Sequence, residues 1–296
     1  MGHGHWTRED FLYYSAARGR NVNASGMLDS RLTDRELFMQ RRLHHNLDPR
    51  NVIRECCDTQ EHPESLPVIL ALDVTGSMGA AAAEVAKKLN GVMTRLYDQV
   101  RDVEFMVMGI GDLFCDQAPI QISQFESDIR IAEQLDQIFL EYGGGGNGSE
   151  SYTAAWYMGL NHTRLDCWKR GKKGLIITMG DEPLNPCLPR RQLAAVTGDK
   201  VEGDVITDSL YDQVTQKFEV FHLHVTHREP DIYLERVLNS FGKQLPKERL
   251  KFVEPASISD TIIDIVKNHA QKQSAHPTEA GGNEKADSLL KKLIFW

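Results

Sequence analysis

The 296-residue sequence predicts an α/β fold in which helices flank a mainly parallel sheet in a doubly wound arrangement. Three nearly continuous apolar runs carry this prediction: Leu66–Leu72, Val103–Gly109 and Gly174–Thr178. Strands that are buried on both faces of a parallel sheet show this pattern. Amphipathic segments with helical spacing separate the runs, and parallel neighbouring strands need such crossovers.

The amino-acid composition argues against several classes of protein. The chain is 41% apolar and 26% charged, as is usual for a globular protein. Its net charge of -8, without a basic stripe, argues against a nucleic-acid partner. Five irregularly spaced cysteines without a C-x-x-C pair indicate a reduced protein rather than a disulfide framework or a zinc site. No signal-peptide pattern and no 18-residue apolar run occur, so we expect a cytoplasmic protein without a membrane partner.

Residues 1–65 precede the first predicted strand and form an N-terminal helical or irregular extension. Thr7 and Asp10 match a capping box at the start of one helix. A second helix is predicted from Thr33 to about His45, with its apolar side chains on one side. The extension either wraps over a sheet edge or docks a partner, and wrapping is the favoured interpretation.

The remaining elements follow from apolar spacing and strand composition. Helices are predicted over Ala80–Gln99, Ile129–Phe139, Thr153–Leu165, Asp204–Phe218, Asp231–Phe241 and Ile258–His269. Further strands are predicted over Ile120–Gln124, Glu219–Val225 and Leu250–Val253. His222 and His224 share one face of a predicted strand. Because no third ligand is placed to join them, core histidines are favoured over a zinc pair.

Polar side chains follow the first buried strand directly. Asp73, Thr75 and Ser77 lie between the run Leu66–Leu72 and the helix that begins at Ala80. In open α/β sheets, ligands bind at the carboxyl ends of strands. Carboxylate and hydroxyl oxygens suit Mg²⁺ or Mn²⁺ rather than zinc. The sequence therefore predicts an oxygen-lined cation site at this strand end.

The stretch Asp73-Val74-Thr75-Gly76-Ser77 resembles the first motif of the metal-ion-dependent adhesion site of von Willebrand factor A (vWA) domains, normally Asp-x-Ser-x-Ser. The second motif of that family places a threonine shortly before a helix. Here Ser151 stands at the corresponding offset, after the glycine-rich stretch Gly143–Gly148. Glu150 is the alternative ligand, because its carboxylate could reach the same ion.

Asp181 matches the third motif, an acid at the end of a buried strand. The family usually shows this aspartate directly after a threonine, whereas Met179-Gly180 intervenes here. The resemblance covers residues 66–270 and is similar in particular to a cytosolic bacterial group with GDE and GGGGN-type loops. It implies a Rossmann-like vWA domain, followed by a disordered linker over 271–285 and a short amphipathic helix over 286–296.

The resemblance implies a non-enzymatic protein-interaction module. Mg²⁺ or Mn²⁺ would be held by five residues, and an Asp or Glu of a protein partner would complete its ligand shell: Asp73, Thr75, Ser77, Ser151 and Asp181. Bacterial members often work beside AAA-type ATPases in assembly or stress and conflict systems, so the resemblance also allows such an ATPase as the partner. Asp112 and Asp116 are either outer groups of this site or solvated loop acids.

Two alternatives remain open. A phosphatase of the haloacid-dehalogenase type also places acids after its first strand. That chemistry needs a nucleophilic carboxylate and a general acid two residues apart, and Thr75 stands where the second acid is required. The other alternative is a scaffold with a vestigial metal site.

For the apolar C-terminal helix, we expect docking against the chain itself, a second copy or a partner.

Overall fold

The computed structural model describes residues 4–142, 148–226 and 231–275. Its strands are β1 (Arg54–Cys56), β2 (Leu66–Asp73), β3 (Val103–Ile110), β4 (Ile120–Ile122), β5 (Thr163–Leu165), β6 (Gly174–Gly180), β7 (Cys187–Leu188), β8 (Val205–Ile206), β9 (Phe218–Val225) and β10 (Leu250–Val253). Its helices are α1 (Arg8–Ala17), α2 (Asp34–Leu37), α3 (Gly79–Tyr97), α4 (Arg130–Leu135), α5 (Thr153–Asn161), α6 (Arg190–Thr197), α7 (Thr207–Lys217), α8 (Leu234–Gln244) and α9 (Ile258–Ala275).

Within the described residues, the central sheet has six strands in the order β4-β3-β2-β6-β9-β10. All neighbouring strands are parallel except β4, which pairs antiparallel with β3 at one edge. Numbered along the chain, this order is 3-2-1-4-5-6, the doubly wound arrangement with a switch point between the first and fourth strands. The Rossmann-like α/β fold predicted from the sequence is confirmed.

Hydrophobic layers cover both faces of this sheet. Along β2, Leu70 and Leu72 face the layer that contains α3 and α9, whereas Ile69 and Ala71 face α5 and its neighbours. All eight residues of β2 are buried, which explains why its sequence shows no polar alternation. The strand therefore ends with its last side chain, Asp73, inside the molecule.

The N-terminal extension wraps over the α3 face. Thr7 caps α1 by accepting a hydrogen bond from the Asp10 amide at 3.0 Å, as predicted. The predicted helix from Thr33 to His45 is wrong in length, since helical structure ends at Leu37. The chain turns at Phe38, which is buried with Leu37, and consecutive core contacts of this kind do not fit a one-sided helix.

Two other predicted helices are shorter than expected. The helix predicted over Ile129–Phe139 ends at Leu135. Beyond it, the Phe139 amide donates to Gln121 Oε1 at 2.9 Å, and Gln121 Nε2 donates to the Phe139 carbonyl at 2.7 Å, so the Phe139 backbone bonds to this side chain instead of continuing the helix. The helix predicted over Thr153–Leu165 ends at Asn161, and β5 follows and pairs in parallel with β1. Long-range contacts override the local helical pattern in both cases.

Some elements carried no clear sequence signal. The short strands β1, β5, β7 and β8 and the helix α6 were not predicted, and the helix expected from Asp204 begins at Thr207. At the other end of the chain, α9 continues to Ala275, five residues into the segment predicted as a linker. The predicted C-terminal helix and most of the glycine-rich stretch lie outside the described residues. No helix in the described part of the chain has the length and apolar character needed to cross a bilayer.

Candidate metal site at the carboxyl edge of the sheet

The predicted site residues from two motifs lie at the switch point of the sheet. Strands β2 and β6 are parallel neighbours up to the pair Leu72 and Met179. The chain then leaves β2 after Asp73 and leaves β6 just before Asp181. Ligand sites in doubly wound folds form in the crevice at such a point.

Asp73 is 0% exposed and is held by three hydrogen bonds. Its Oδ1 accepts from the Thr75 backbone amide at 2.9 Å and from the Thr75 hydroxyl at 2.5 Å. Its Oδ2 accepts from the Tyr152 hydroxyl at 2.6 Å. Burial raises the pKa of Asp73 to about 7, although the hydrogen bonds from Thr75 and Tyr152 oppose this shift.

Ser77 connects the first motif to the third. Its hydroxyl donates to Asp181 Oδ1 at 3.1 Å, and the Ser77 side chain is exposed to solvent. Thr75 in the same way directs its proton to Asp73. Both hydroxyl oxygens therefore keep lone pairs that are available to a cation.

Ser151 lies on a different segment of the site. Its hydroxyl oxygen accepts a hydrogen bond from the Leu113 amide at 3.1 Å, so the side chain is fixed to the loop after β3. Its two sequence neighbours, Glu150 and Tyr152, both lie close to Asp73. Ser151 is thus near the other candidate ligands, but its own hydrogen bond is to this loop.

Glu150 is 1% exposed, and its Oε2 has no hydrogen-bond partner among the described residues. Burial, followed by the charges of Asp73 and Glu182, raises the pKa of Glu150 to about 10. A buried carboxylate in such surroundings is strongly destabilised unless it is protonated or meets a cation. The sequence indicated Glu150 only as an alternative ligand to Ser151. Its burial with an unpartnered oxygen makes it a stronger candidate ligand than the sequence alone suggested.

The loop after β3 supplies two more acids. Asp112 is buried and accepts from the Phe114 amide at 3.1 Å, while Asp116 Oδ2 accepts from the Asp112 amide at 2.7 Å. Burial raises the pKa of Asp116 to about 6. A Cβ at Gly111 would displace the Asp116 carboxylate from its present position. Asp112 is therefore not a solvated loop acid, whereas Asp116 is partly exposed.

The donor set fits a hard divalent cation. In the described part of the chain, no lysine or arginine forms an ion pair with Asp73, Glu150 or Asp116. Glu150 and Asp116 each keep one buried oxygen that has no hydrogen-bond partner among the described residues. No three His, Cys, Asp or Glu side chains of the described residues form a ready cage, so the hydroxyls would have to contribute. Such oxygen ligands suit Mg²⁺ or Mn²⁺.

Tyr152 and Gly180 were not singled out from the sequence. A Cβ at Gly180 would occupy the place of the Tyr152 hydroxyl, so glycine at the end of β6 makes room for the tyrosine. The available signal was a glycine within a buried strand, which often marks a close approach of another group. Nothing in the local sequence indicated which group that was.

No protein-family model matches the sequence, and no curated protein matches it. The fold is similar to that of the pilus adhesin SpaC from Lactobacillus rhamnosus GG in its open conformation, with 12% identity, a TM-score of 0.49 and coverage of 73% of this chain and 31% of the adhesin. For the vWF domain of the type V pilus tip protein Mfa5 from Porphyromonas gingivalis, identity is 10%, the TM-score 0.43 and coverage 70% and 97%. For BatB from Bacteroides thetaiotaomicron, identity is 14% and the TM-score is 0.41, with coverage of 72% of this chain and 100% of BatB. The chain thus spans less than a third of the SpaC adhesin.

Proposed function

We propose that the chain is a non-enzymatic interaction module that binds an acidic residue of a protein partner through Mg²⁺ or Mn²⁺. The observation that carries the proposal is the buried Glu150 carboxylate with an unpartnered oxygen, beside Asp73 at the switch point. The resemblance of Asp73-Val74-Thr75-Gly76-Ser77 to an adhesion-site motif supports it independently.

Five residues would hold the ion, with the unpartnered Glu150 carboxylate as the alternative ligand to Ser151. Thr75 and Ser77 offer neutral oxygens, since their protons are directed to Asp73 and Asp181. Those two carboxylates fix the hydroxyls and supply negative charge, and Ser151 offers a third hydroxyl from the start of α5. When bound, the ion supplies an electrophilic centre that can accept a carboxylate oxygen from outside the chain.

The acidic surroundings make this interaction dependent on metal. After burial, the charges of Glu182 and Asp116 help to raise the pKa of Glu150, and Asp116 also helps to raise the pKa of Glu182. Without a cation, the carboxylates of this cluster that stay ionised repel an acidic partner. Binding of such a partner is therefore expected only when the metal is present.

Calorimetry tests the site directly. Wild-type protein is expected to bind Mg²⁺ or Mn²⁺, and Asp73→Ala to lose this binding, because it removes the carboxylate that orients Thr75. Asp260→Ala is the control, since Asp260 is an exposed carboxylate on α9. Thermal unfolding shows whether each variant is folded, and Asp73→Asn serves if the alanine variant is not. Normal Mg²⁺ binding by a folded Asp73 variant would contradict the proposal.

A partner search uses the same variants. Pull-downs with Mg²⁺ and with EDTA, followed by mass spectrometry, are expected to recover a protein only in the presence of Mg²⁺ and not with Asp73→Ala. Recovery of an AAA-type ATPase would support the partner class that the sequence resemblance allows. A partner that binds equally well in EDTA would instead favour the scaffold with a vestigial metal site.

The phosphatase alternative predicts a different result. Both oxygens of Asp73 accept hydrogen bonds and the side chain is inaccessible to solvent, which is unfavourable for a nucleophile. We therefore expect no turnover of an aryl phosphate above background with Mg²⁺ present. Mg²⁺-dependent activity that disappears in Asp73→Asn would establish the enzyme and overturn the proposed module.

A further inference from the structure

We propose that a cavity at the amino edge of the central sheet binds a small amphipathic anion, which carries a phosphate or carboxylate head on an apolar body. The cavity has a volume of about 740 Å³, within the range of roughly 300–1,000 Å³ that is usual for small-molecule sites. It lies beside the first residue of β2 and the last turns of α9, whereas the candidate metal site lies at the other end of the same strand. Binding at the cavity is therefore independent of the proposed metal.

The charge of the cavity wall is opposite to that of the whole chain. Four basic and two acidic side chains line the cavity, a net charge of +2 in a chain of net charge -8. The basic side chains come from the turn after α3, the segment before β6 and the α9 helix: Arg101, Arg170, Lys172 and Lys267. The cavity thus attracts anions that the net charge of the chain repels.

The two acids of the wall, Asp102 and Glu64, are engaged by other groups. Asp102 Oδ1 lies 3.4 Å from His62 Nδ1, and its Oδ2 accepts from the Glu64 amide at 3.3 Å. The Glu64 carboxylate lies 2.7 Å from Lys172 Nζ, but the Glu64 side chain is 64% exposed. Such an exposed ion pair is weak, so an anion inside the cavity can compete for the Lys172 ammonium.

The other basic groups of the wall are available to an anion. Arg101 and Lys267 form no ion pair with any residue in the described part of the chain. Arg170 donates to the Asp58 carboxylate and to the Ser65 carbonyl, yet its Nε has no hydrogen-bond partner among the described residues. Guanidinium and ammonium groups bind phosphate and carboxylate oxygens through charge-assisted hydrogen bonds. These groups therefore suit the anionic head.

Another part of the cavity wall suits an apolar body. Leu66, Val100 and Cys167 line the cavity and are otherwise buried in the protein. An inorganic ion would leave this apolar surface in contact with water, whereas an alkyl or aromatic group would cover it. Covering apolar surface is favourable, so an anion with an apolar body should bind more tightly than inorganic phosphate.

Calorimetric titration of octyl phosphate into the wild-type protein tests the site. The buffer contains EDTA, so that no metal can hold the phosphate group elsewhere. Inorganic phosphate lacks the apolar body and octanol lacks the charge, so each should bind at least tenfold more weakly than octyl phosphate. Octanoate identifies the preferred head, because it differs from octyl phosphate only at that end. Absence of binding by both octyl phosphate and octanoate would overturn the proposal.

The two unpaired cations allow a test by substitution. Arg101→Gln and Lys267→Gln should each weaken octyl phosphate binding about tenfold, the effect of losing a hydrogen bond between charged groups. Arg191→Gln is the matched control, since Arg191 is exposed on α6 and does not line the cavity. Thermal unfolding shows that each variant is folded. Equal affinities of the three variants would overturn the assigned site.

Ser274→Trp tests whether the anion lies inside the cavity. Ser274 is exposed near the end of α9 and lines the cavity, so a tryptophan there fills space without changing any charge. Octyl phosphate binding should be lost in this variant. Unchanged binding would show a general attraction to basic groups and would contradict the proposal.

A variant without residues 276–296 tests the other possible occupant of the cavity. These residues follow α9, whose last turns line the cavity. The shortened variant is expected to bind octyl phosphate as the wild type does. An affinity at least tenfold higher would show that residues 276–296 compete for the cavity, and would overturn its assignment to a small ligand.

Discussion

At the residue scale, Glu150 and Glu219 are acids with opposite surroundings. Glu150, in the candidate site, lacks a basic partner among the described residues. Glu219, by contrast, lies 3.4 Å from His269 Nδ1, whose Nε2 lies 3.0 Å from the Lys173 carbonyl oxygen. Both ring nitrogens of His269 thus have an acceptor oxygen nearby. Arg249 Nη2 lies 3.6 Å from Glu219 Oε1, so Glu219, unlike Glu150, has a basic partner within the chain.

The pair predicts a pH dependence of stability. His269 chiefly lowers the pKa of Glu219 from 4.5 to about 2, against the effect of burial. Because the folded pKa lies below the unfolded one, the contribution is complete above about pH 5 and is lost as the pH falls toward 2. Glu219→Gln should lower the free energy of unfolding at pH 7 by roughly 1–2 kcal/mol, allowing for partial solvent screening.

Urea unfolding between pH 3 and pH 7 measures this effect. The variant should lose less stability on acidification than the wild type, since the group that titrates is gone. Glu235→Gln, at an exposed position of α8, is the control and should follow the wild-type curve. Parallel curves for wild type and Glu219→Gln would show that the pair does not contribute.

The candidate site could be predicted from the sequence only in part. Asp73, Thr75 and Ser77 are close along the chain, so a local pattern identified them as a group. Tyr152 contacts Asp73 across 79 positions of sequence, and no local pattern contains that contact. The burial of Glu150 likewise depends on segments far along the chain. Side chains that act through long-range packing were therefore missed or undervalued.

At the element scale, the strongly apolar strands were predictable and the ends of the helices were not. β2, β3 and β6 could be predicted because burial on both faces leaves a nearly continuous apolar run. The three-residue strands β1 and β5 are too short to show a period. Helix α4 ends where Gln121 binds the backbone of Phe139, and a local helical pattern contains no trace of that contact.

The hydrogen bonds between Gln121 and Phe139 are expected to contribute to the free energy of unfolding. Gln121→Ala would leave the buried amide and carbonyl of Phe139 without their partner, which costs about 1–3 kcal/mol per unsatisfied group. Because two groups lose their partner, urea unfolding should show a loss of about 2–6 kcal/mol. Gln213→Ala on the exposed side of α7 is the control, because its side chain binds only the backbone of its own helix. Equal stability of the two variants would contradict the assigned role.

At the scale of the whole molecule, the N-terminal extension belongs to the same hydrophobic core as the sheet. Trp6, Phe11 and Tyr14 are buried in the cluster that contains α3 and α4. The indole Nε1 of Trp6 donates to Asn90 Oδ1 at 3.1 Å, and Asn90 Nδ2 donates to the Gly26 carbonyl at 2.9 Å. The extension and the domain should therefore unfold together.

Replacing one anchor tests this cooperativity. Trp6→Ala should lower the free energy of unfolding by about 3–5 kcal/mol, as expected for removing a buried aromatic side chain. A single urea transition at lower midpoint, read by circular dichroism, is the expected result. Tyr13→Ala is the control, since Tyr13 is 81% exposed on α1. A separate early transition confined to the extension would show that it is an independent unit.

The strand order also determines when β2 can pair with its neighbour β6 during synthesis on the ribosome. β2 lies at the centre of the sheet, yet its neighbour β6 follows roughly a hundred residues later in the chain. At about 5–20 residues per second on the ribosome, Asp73 emerges roughly 5–20 s before Asp181 can join it. During this interval one side of a fully apolar strand has no partner and is open to aggregation. Slower initiation or a lower expression temperature should therefore raise the yield of native protein, because nascent chains then meet one another less often.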